Sequence, residues 1–442
     1  MLRPALRGLT TRGRSFLAAG AAAALCSLIV GEPDLLRVAV LLVALPVVSA
    51  LVVARTRYRL SSRRRLSSAR VSAGRESVVT IRVENLSRLP TGLMLLEDRL
   101  PYVLGSRPRF VLDRVESRGR REVAYGVRSD VRGHYLLGPL SIRVTDPFGM
   151  CELSRSFTAQ DTFVVTPTVH SLPMVHLAGE WAGSGESRAR SIATSGEDDA
   201  ATREYRQGDD LRRVHWRSTA RLGQLMVRRE EQPWQSRCTL LLDTRRRAHR
   251  GEGPASSFEW GVSAAASIGV HLVRCGYFVR LVTDTGASVS SAAHDSDGVG
   301  SDFEGALLDA LAVIQPSEHD AVRGASMSLR GDGGDGLLIA VLGSVDAEQA
   351  HVLGRLRHGA TTAVAFLLDT ASWAHLTPTA RVEAQRHLDG SHQLLRAAGW
   401  RVVRAGSADR LGDLWEKASR MRHDPDLAGT SAGAKSTTRS SA

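Results

Sequence analysis

The sequence predicts a multidomain protein of the α+β class, and three patterns along the chain support that prediction. Two uncharged apolar stretches lie near the N-terminus, short alternating runs follow over residues 71–170, and strand-like and helix-like segments alternate over 237–422. These patterns predict a membrane hairpin within residues 1–60, a β-sandwich, and a doubly wound α/β domain. The small and polar residues of 423–442 predict a disordered tail.

The two apolar stretches, Ser15–Val30 and Val38–Ala54, have the composition of transmembrane helices. At 1.5 Å per helical residue each spans roughly 24–25 Å, just short of the thickness of a hydrocarbon core, so the two are interpreted together as a helical hairpin. Arginines crowd the outer flanks, whereas the connecting loop carries only Arg37. The positive-inside rule therefore predicts a two-pass protein in the lipid bilayer of the cell membrane, with its N-terminus and main domains cytoplasmic. A signal peptide over Thr10–Val30 and a buried soluble hairpin are the alternatives.

The basic charge of the chain is concentrated at its start. The formal net charge is +12, and the first 70 residues hold twelve arginines against only Glu32 and Asp34. The remaining chain is nearly neutral and shows no basic groove with interleaved aromatic residues, which argues against nucleic-acid binding. Four widely spaced cysteines lack the spacing of a metal site and are expected to be reduced, as inside a cell. They are Cys26, Cys151, Cys238 and Cys275.

Alternating apolar and polar residues over 71–170 predict a small antiparallel β-sandwich. Val78–Glu84 and Leu140–Val144 alternate with a period of two, and turn signals separate such runs. Strands of this length and spacing favour an Ig-like topology. Asp146–Gly149 predicts a tight turn in which Phe148 packs inward. The composition of this domain indicates a structural module and not an active site.

The most informative segment is a highly charged stretch within a linker region, residues 184–236. Between Glu197 and Glu231 it has eight acidic and eight basic residues. That balance predicts an ion-pair lattice rather than an anion-binding site. The candidate residues for protein interaction, or for holding a domain interface together, are Arg203, Glu204, Tyr205, Gly208, Asp209, Arg212, Trp216 and Arg221.

Local signals predict how this charged segment folds. Asp209 precedes a short helix over Leu211–Leu222, and a strand follows over Gln224–Arg228. Trp216 and Ala220 share one face of that helix, which we expect to dock onto a sheet. Such a helix either holds a domain interface together or binds a partner protein, and catalysis is the weakest alternative.

The same segment resembles the signature of family fifty-eight of the domains of unknown function, whose core is R-E-Y-x-x-G-D-x-x-R-x-I-x-W-x-x-S/T-A-R. The match extends from Arg203 to Arg221, with Val214 in place of the isoleucine, and a second block typical of the family lies over Arg132–Gly149. The resemblance covers most of the chain and implies a bacterial membrane protein with a von Willebrand factor A-like C-terminal domain. It also implies a MoxR-type AAA+ ATPase as partner, in systems suspected of assembling envelope complexes.

The residues after 237 predict a parallel sheet with helices on both faces, because apolar strand-like runs alternate with helical intervals. Together with the resemblance, this pattern favours a von Willebrand factor A-like doubly wound fold. Ser288–Ser301 and Gly331–Gly336 are predicted loops. The predicted strands are Cys238–Asp243, Tyr277–Val282, Leu337–Leu342, Ala363–Leu368 and Trp400–Val403, and the predicted helices are Ser256–Arg274, Phe303–Ile314, Ala347–Leu356, Pro378–Ala398 and Leu411–Arg420.

The implied fold often binds a divalent metal through a D-x-S-x-S motif after its first strand. Here the equivalent stretch begins at Asp243, and Arg245 and Arg247 replace both serines. Two guanidinium groups repel a cation, although Ser344 and Asp346 follow a later strand and offer oxygen ligands. We therefore expect a degenerate site with no metal and no other cofactor, in which Arg245 takes the place of the ion and pairs with Asp243.

These observations predict a non-enzymatic, cytoplasm-facing interaction platform or adaptor that partners the MoxR-type ATPase. A metal-dependent adhesion or sensor module of the von Willebrand factor A type is the alternative, and it predicts specific binding of divalent cations. An unrecognised hydrolase requires a nucleophile–base pair, which the spacing of the residues does not support.

Overall fold

The chain is a mixed α/β protein in which two apolar helices precede several β-sheets. It forms two compact units, unit 1 (Met1–Pro167) and unit 2 (Thr168–Ala442). The predicted tail, 423–442, lies outside the described residues. The structure is a computed structural model that describes residues 8–55, 60–88, 90–146, 148–175, 202–205, 214, 216–228, 237–290, 299–319, 324, 336–356 and 362–421.

Two apolar helices, α1 (Thr11–Val30) and α2 (Pro33–Arg55), begin unit 1. Gly31 ends α1 in the left-handed conformation, with φ 78°, and so allows the chain to turn back. Gly20 lets the two helices approach closely, because a Cβ at that position would lie 2.7 Å from Val43 Cγ2. Both helices are long and apolar enough to cross a membrane, which confirms the predicted pair of apolar helices.

The remainder of the described part of unit 1 is built from strands. They are β1 (Leu60–Leu66), β2 (Arg70–Ser72), β3 (Glu76–Asn85), β4 (Met94–Asp98), β5 (Arg109–Leu112), β6 (Arg120–Arg128), β7 (Gly133–Leu137), β8 (Leu140–Thr145), β9 (Glu152–Phe157) and β10 (Asp161–Thr166). They form three sheets, in the orders β1-β3-β6, β2-β10-β7 and β5-β4-β8-β9. Every pair is antiparallel except β2 with β10, which is parallel.

One apolar core is shared by the three sheets of unit 1. Residues alternate between buried and more exposed along β3, and buried Ile81, Met94 and Phe163 each come from a different sheet. The strands begin at Leu60, so the predicted start of this domain at residue 71 is too late. Three consecutive arginines, 63–65, hide the strand pattern of β1 in the sequence, since arginine is usually exposed. In the structure the Arg64 side chain is buried.

The predicted turn at residues 146–149 is present, but its aromatic residue points the other way. The Asp146 carboxylate accepts hydrogen bonds from the N–H groups of Phe148 (3.2 Å) and Cys151 (2.6 Å), and Gly149 has φ 69°. Phe148 is 60% exposed, so the expectation that it packs inward is wrong. The hydrogen bonds to Asp146 stabilise the turn, so it does not depend on the packing of an aromatic side chain.

Unit 2 contains a short helix and a two-stranded sheet from the predicted linker region. The elements are β11 (Thr202–Glu204), α3 (Trp216–Leu222) and β12 (Met226–Arg228), and β11 pairs with β12 in antiparallel register. The helix begins at Trp216 rather than Leu211, since Val214 forms a β-bridge with Val227. A residue paired in a bridge has extended backbone and cannot belong to the helix.

A six-stranded sheet forms the centre of unit 2. Its strands are β13 (Arg237–Leu242), β14 (Phe278–Thr283), β15 (Ser288–Ser290), β16 (Leu337–Leu342), β17 (Thr362–Leu368) and β18 (Arg401–Ala405), and its helices are α4 (Ser257–Arg274), α5 (Val299–Val313), α6 (Ala347–Leu356), α7 (Pro378–Ala397) and α8 (Leu411–Arg420). The strand order is β15-β14-β13-β16-β17-β18, and all pairs are parallel except the edge strand β15.

Side chains that alternate along the central strands form a core on each face of this sheet. Leu240 and Phe366 belong to the core that includes Trp415 of α8, whereas Leu241 and Leu367 belong to the opposite core with α6 and α7. The predicted parallel sheet covered on both faces is therefore confirmed.

The edge of this sheet departs from the prediction. The loop predicted over Ser288–Ser301 is wrong at both of its ends, because β15 pairs with β14 and α5 begins at Val299. Residues 331–335 of the other predicted loop lie outside the described residues.

Candidate functional site

The signature segment, residues 202–228, folds in its described parts as a compact helix-and-strand unit. The Tyr205 N–H donates to the Leu225 carbonyl (2.8 Å) and so extends the pairing of β11 with β12. The Thr219 hydroxyl accepts a hydrogen bond from the Met226 N–H (3.0 Å), which ties α3 to β12. Gly223 connects them with φ 70°, a conformation that glycine adopts without a steric penalty.

Three large apolar side chains of the signature segment are exposed. Trp216 is 70% exposed, and Leu222 at the other end of α3 and Leu225 just before β12 are also exposed. Ala220 is exposed as well, so the predicted docking of this helix face onto a sheet is wrong. Val214 and Val227 supply the buried side of the segment instead.

Some of the predicted signature residues lie within the described part of the chain, and others do not. Arg203 and Glu204 lie in β11, Tyr205 follows that strand, and Arg221 lies in the last turn of α3. Gly208, Asp209 and Arg212 lie outside the described residues. The ion-pair lattice stays a prediction, because Asp209, Arg212 and several other charged residues of the segment are not described.

A buried ion pair occupies the carboxyl end of β13, where the sequence predicts a degenerate metal site. Arg245 Nε lies 2.8 Å from Asp243 Oδ1, and Arg245 Nη2 lies 2.7 Å from Asp243 Oδ2. Both side chains are almost fully buried. Burial lowers the pKa of the Arg245 guanidinium, but its hydrogen bonds to Asp243 raise it, and the net direction is upward. The predicted pairing is therefore confirmed, with a charged guanidinium against both carboxylate oxygens.

The two other predicted oxygen donors have different roles. The Ser344 carbonyl accepts a hydrogen bond from Arg245 Nη2 (3.1 Å). The Asp346 carboxylate accepts a hydrogen bond from the Gln349 N–H (2.8 Å), and the Gln349 side-chain oxygen accepts one from the Asp346 N–H (3.0 Å). Together these two bonds cap the start of α6. Within the described residues, no group of three histidine, cysteine, aspartate or glutamate side chains has the arrangement of a metal site.

A second buried carboxylate, Asp284, lies on the neighbouring strand end. Its Oδ1 accepts hydrogen bonds from the N–H (2.7 Å) and the hydroxyl (2.5 Å) of Thr244. No local pattern predicts this group, because Asp284 follows β14 and meets the loop after β13 only in the folded sheet.

A serine–histidine contact lies under the same loop. His249 Nε2 is 2.8 Å from the Asp243 carbonyl, which can only accept, so Nε2 carries the proton. The other ring nitrogen is 3.2 Å from the Ser257 hydroxyl. Burial lowers the pKa of His249 and favours its neutral form. Because Ser257 is fully buried at the start of α4, its hydroxyl is positioned to fix the loop rather than to attack a substrate.

An open cleft of about 780 Å³ lies beside this loop, at the carboxyl edge of the sheet. Arg246, Arg247 and Arg250 line it together with His319 and Trp373. Arg246 pairs with Glu318, which also lines the cleft (2.9 Å). In open α/β sheets ligands bind at this edge, and the lining here combines three arginines with the carboxylates of Glu252 and Glu318.

Unit 1 contains a buried polar network that the sequence did not predict. Arg64 of β1 forms two hydrogen bonds with Asp98 at the end of β4 (3.1 and 2.7 Å) and one with Asp161 of β10 (2.7 Å). The Tyr125 hydroxyl donates to Asp98 (2.6 Å), and burial together with this bond raises the pKa of Tyr125. The network joins all three sheets, so its role is structural.

Comparison with protein families supports the resemblance stated above. The model of the family described as "Protein of unknown function DUF58" matches residues 201–298, which include the signature segment and the first three strands of the six-stranded sheet, β13, β14 and β15. No curated protein matches this chain.

Among solved structures, the CARDB domain of the PF1109 protein from Pyrococcus furiosus is 13% identical, covers 24% of this chain and 86% of its own, and has a TM-score of 0.19. The putative ApaA protein from Bordetella pertussis is 11% identical, covers 24% of this chain and 94% of its own, and also has a TM-score of 0.19. Likenesses at this level support no statement about function.

Proposed function

We propose that this chain is a membrane-anchored interaction platform, held in the cell membrane by α1 and α2 and presenting a protein-binding surface in unit 2. Its partner is a MoxR-type AAA+ ATPase, and the pair serves the assembly of envelope complexes, as the family resemblance implies. The single observation that supports the platform best is the exposure of Trp216 within the signature segment.

The two helices support anchoring through their packing and their exposed surfaces. Gly20 brings them into close contact as a hairpin, while Leu28 and Ile29 on α1 and Leu41 on α2 stay exposed. Apolar side chains in such numbers have no favourable environment in water. We expect the protein to resist extraction from membranes by alkaline carbonate; release into the soluble fraction would indicate a cleaved signal segment or a soluble hairpin.

The six-stranded sheet supports the von Willebrand factor A-like assignment for unit 2. Numbered from its first strand, its order is 3-2-1-4-5-6, an order known from doubly wound folds with ligand sites at the carboxyl edge. We assign an Ig-like β-sandwich to the strands of unit 1 on their antiparallel pairing around one core.

The signature segment has the properties of a partner-binding surface. Tryptophan and arginine are over-represented among residues that dominate binding energies, and Trp216 and Arg221 are both exposed on α3. Because Thr219 and Gly223 fix this helix to β12, the indole is presented on a preorganised element. A partner that covers the indole would remove its apolar surface from water, which favours association.

The test is a crosslinking pull-down from native membranes, with and without ATP, in which captured proteins are identified by mass spectrometry. Trp216→Ala is compared with Val382→Ala, which removes a 53% exposed apolar side chain from α7. We expect an AAA+ ATPase to be captured by the wild type and by Val382→Ala, and its capture by Trp216→Ala to fall about 30-fold, as for loss of a 2 kcal/mol contact. Equal capture by all three proteins would remove Trp216 from the contact, and no ATPase in any sample would refute the partner.

A further inference from the structure

Three side chains with soft or borderline metal-binding atoms meet at the C-terminal end of α4 in unit 2. Cys275 Sγ lies 3.5 Å from Met174 Sδ and 3.7 Å from His271 Nε2. These residues are far from the signature segment in sequence and take no part in the loop after β13. Their thiol, thioether and imidazole groups form a ligand set outside every site described above.

The fold fixes all three residues near one another. His271 and Cys275 are four residues apart at the helix end, where the Cys275 N–H donates to the His271 carbonyl (3.0 Å). Met174 belongs to a segment that runs along α4, and this segment is held by hydrogen bonds from the His170 N–H to the Ser267 hydroxyl (2.9 Å) and from the Ser263 hydroxyl to the Thr168 carbonyl (2.6 Å).

The buried side chain of Leu172 adds an apolar anchor to the same segment, two residues before Met174. The His271 ring packs edge-on against Trp415, with centroids 5.6 Å apart, so the orientation of the imidazole is also constrained. Met174 itself is 80% exposed, which leaves the cluster open to solvent.

We propose that Cys275, His271 and Met174 form a binding site for a soft monovalent cation of the Cu(I) type. Metal–sulfur bonds of about 2.3 Å and metal–nitrogen bonds of about 2.0 Å place the atoms of a planar three-ligand site roughly 3.7–4.0 Å apart. The observed sulfur–nitrogen separation of 3.7 Å already matches. The sulfur–sulfur separation of 3.5 Å would have to lengthen by about half an ångström.

The ligand types decide which metal the cluster suits. Cysteine and methionine sulfur are the soft ligands that select Cu(I), whereas Zn(II) sites use four ligands drawn from cysteine, histidine and carboxylates. Within the described residues no three such groups come together, so the thioether of Met174 completes the set. Magnesium and calcium prefer oxygen ligands, so the sulfur and nitrogen atoms of this cluster do not suit them.

Binding requires the thiolate, so the reaction exchanges a proton for the metal. The Cys275 S–H bond breaks, a sulfur–copper bond forms, and one proton is released to solvent without any change of oxidation state. Burial raises the pKa of the Cys275 thiol, and burial, reinforced by Arg274, lowers the pKa of His271. The imidazole is therefore neutral and able to ligate near pH 7.

The test is an anaerobic titration of the reduced full-length protein with Cu(I), in competition with the chromophoric chelator bicinchoninic acid. The variants are Cys275→Ser, His271→Gln and Met174→Leu, and Cys26→Ser in α1 controls for loss of a cysteine outside the cluster. We expect the wild type and Cys26→Ser to hold one equivalent of Cu(I) against the chelator. Each ligand variant is expected to bind at least about 10-fold more weakly, since even outer-shell changes cost 10–100-fold.

Met174→Leu is the decisive variant, because an exposed and nearly isosteric substitution leaves the fold intact and its melting temperature will verify this. Unchanged Cu(I) affinity in Met174→Leu and His271→Gln would overturn the three-ligand site. Affinity for Zn(II) equal to that for Cu(I) would overturn the assignment to a soft monovalent ion. A wild type that holds no Cu(I) against the chelator would show that the cluster is only a thiol–thioether contact.

Discussion

Two buried arginine–aspartate pairs, one in each unit, use the same chemistry to constrain different things. Arg64 and Asp98 of unit 1 are 34 residues apart and come from strands of different sheets. Arg245 and Asp243 of unit 2 are two residues apart in a single loop. The first pair therefore holds sheets together, whereas the second fixes the shape of one loop at the edge of a sheet.

The pairs also differ in how many groups depend on them. Asp98 accepts bonds from both Arg64 and the Tyr125 hydroxyl, and Arg64 in turn reaches Asp161. Around Asp243 the further donors are backbone N–H groups, those of Gly343 and Arg245. A buried ion pair adds little net stability, but removal of one partner leaves an uncompensated charge that costs about 3–5 kcal/mol. The comparison can therefore be tested by breaking each pair in turn.

The largest effect is expected from Asp98→Ala. This change leaves the Arg64 guanidinium buried without its main partner and leaves the Tyr125 hydroxyl without an acceptor. We expect the free energy of unfolding of unit 1 to fall by about 3–5 kcal/mol, measured by hydrogen exchange of peptides from residues 60–167. Asp161→Ala removes a partner whose side chain is 41% exposed, and it is expected to cost about 1 kcal/mol or less. Equal costs for the two variants would contradict the network as described.

Asp243→Ala is expected to have the next largest effect, about 3 kcal/mol. The cost is lower than for Asp98 because Asp284 and Asp346 also stabilise the charge of Arg245. Tryptophan fluorescence during urea unfolding measures it, since all seven tryptophans lie beyond residue 167 and so report on unit 2. The double variant Asp243→Ala/Arg245→Met removes the charge as well and should recover most of the loss; a double variant less stable than Asp243→Ala would refute a role for the unpaired charge.

These two pairs also show why sequence reasoning reached one region and not the other. The bounds of α6, α8 and β16 follow from the periodicity of nearby apolar residues, so a short stretch of sequence predicts them. The Arg245–Asp243 pair can be predicted in the same way, because its members are two residues apart. Arg64 looked like one of the basic residues that flank a membrane helix. Its burial depends on strands 34 and 97 residues away, which no local pattern encodes.

Trp216 is the reverse case, a residue predicted to be buried that the structure shows to be exposed. Its spacing from Ala220 suggested a buried helix face, but the bridge between Val214 and Val227 shortens the helix and leaves the indole exposed. Helical periodicity over four residues cannot distinguish an inward from an outward face when the start of the helix depends on a long-range pairing. The resemblance identified the segment, and only the structure shows which of its described side chains are exposed.

A smaller effect is expected from pH, and the part tested here comes from His249 in the loop after β13. Burial holds the pKa of His249 below its ordinary value of 6.5, so the unfolded chain binds one more proton than the folded protein between those two values. Stability therefore falls as the pH drops below 6.5, by at most about 1 kcal/mol between pH 6.5 and 5.5. His249→Gln keeps a donor for the Asp243 carbonyl and should reduce this dependence, while His271 and His392 supply the remainder in both proteins. Identical pH dependence in the two proteins would contradict a buried neutral His249.

The smallest effect is expected from magnesium, and it tests whether the Arg245 pair has replaced a metal site. A specific ion with a dissociation constant of about 0.1 mM would add about 2.7 kcal/mol to the stability of unit 2 at 10 mM, because it binds only the folded state. Both oxygens of Asp243 already accept hydrogen bonds from Arg245, and Asp346 caps α6, so neither is available as a ligand without loss of those bonds. We therefore expect the melting temperature measured by tryptophan fluorescence to be the same with 10 mM magnesium and with EDTA at equal ionic strength. A clear rise with magnesium would restore the metal-dependent adhesion or sensor module as the better explanation of unit 2, and its absence from Asp243→Ala would locate the ion at this loop.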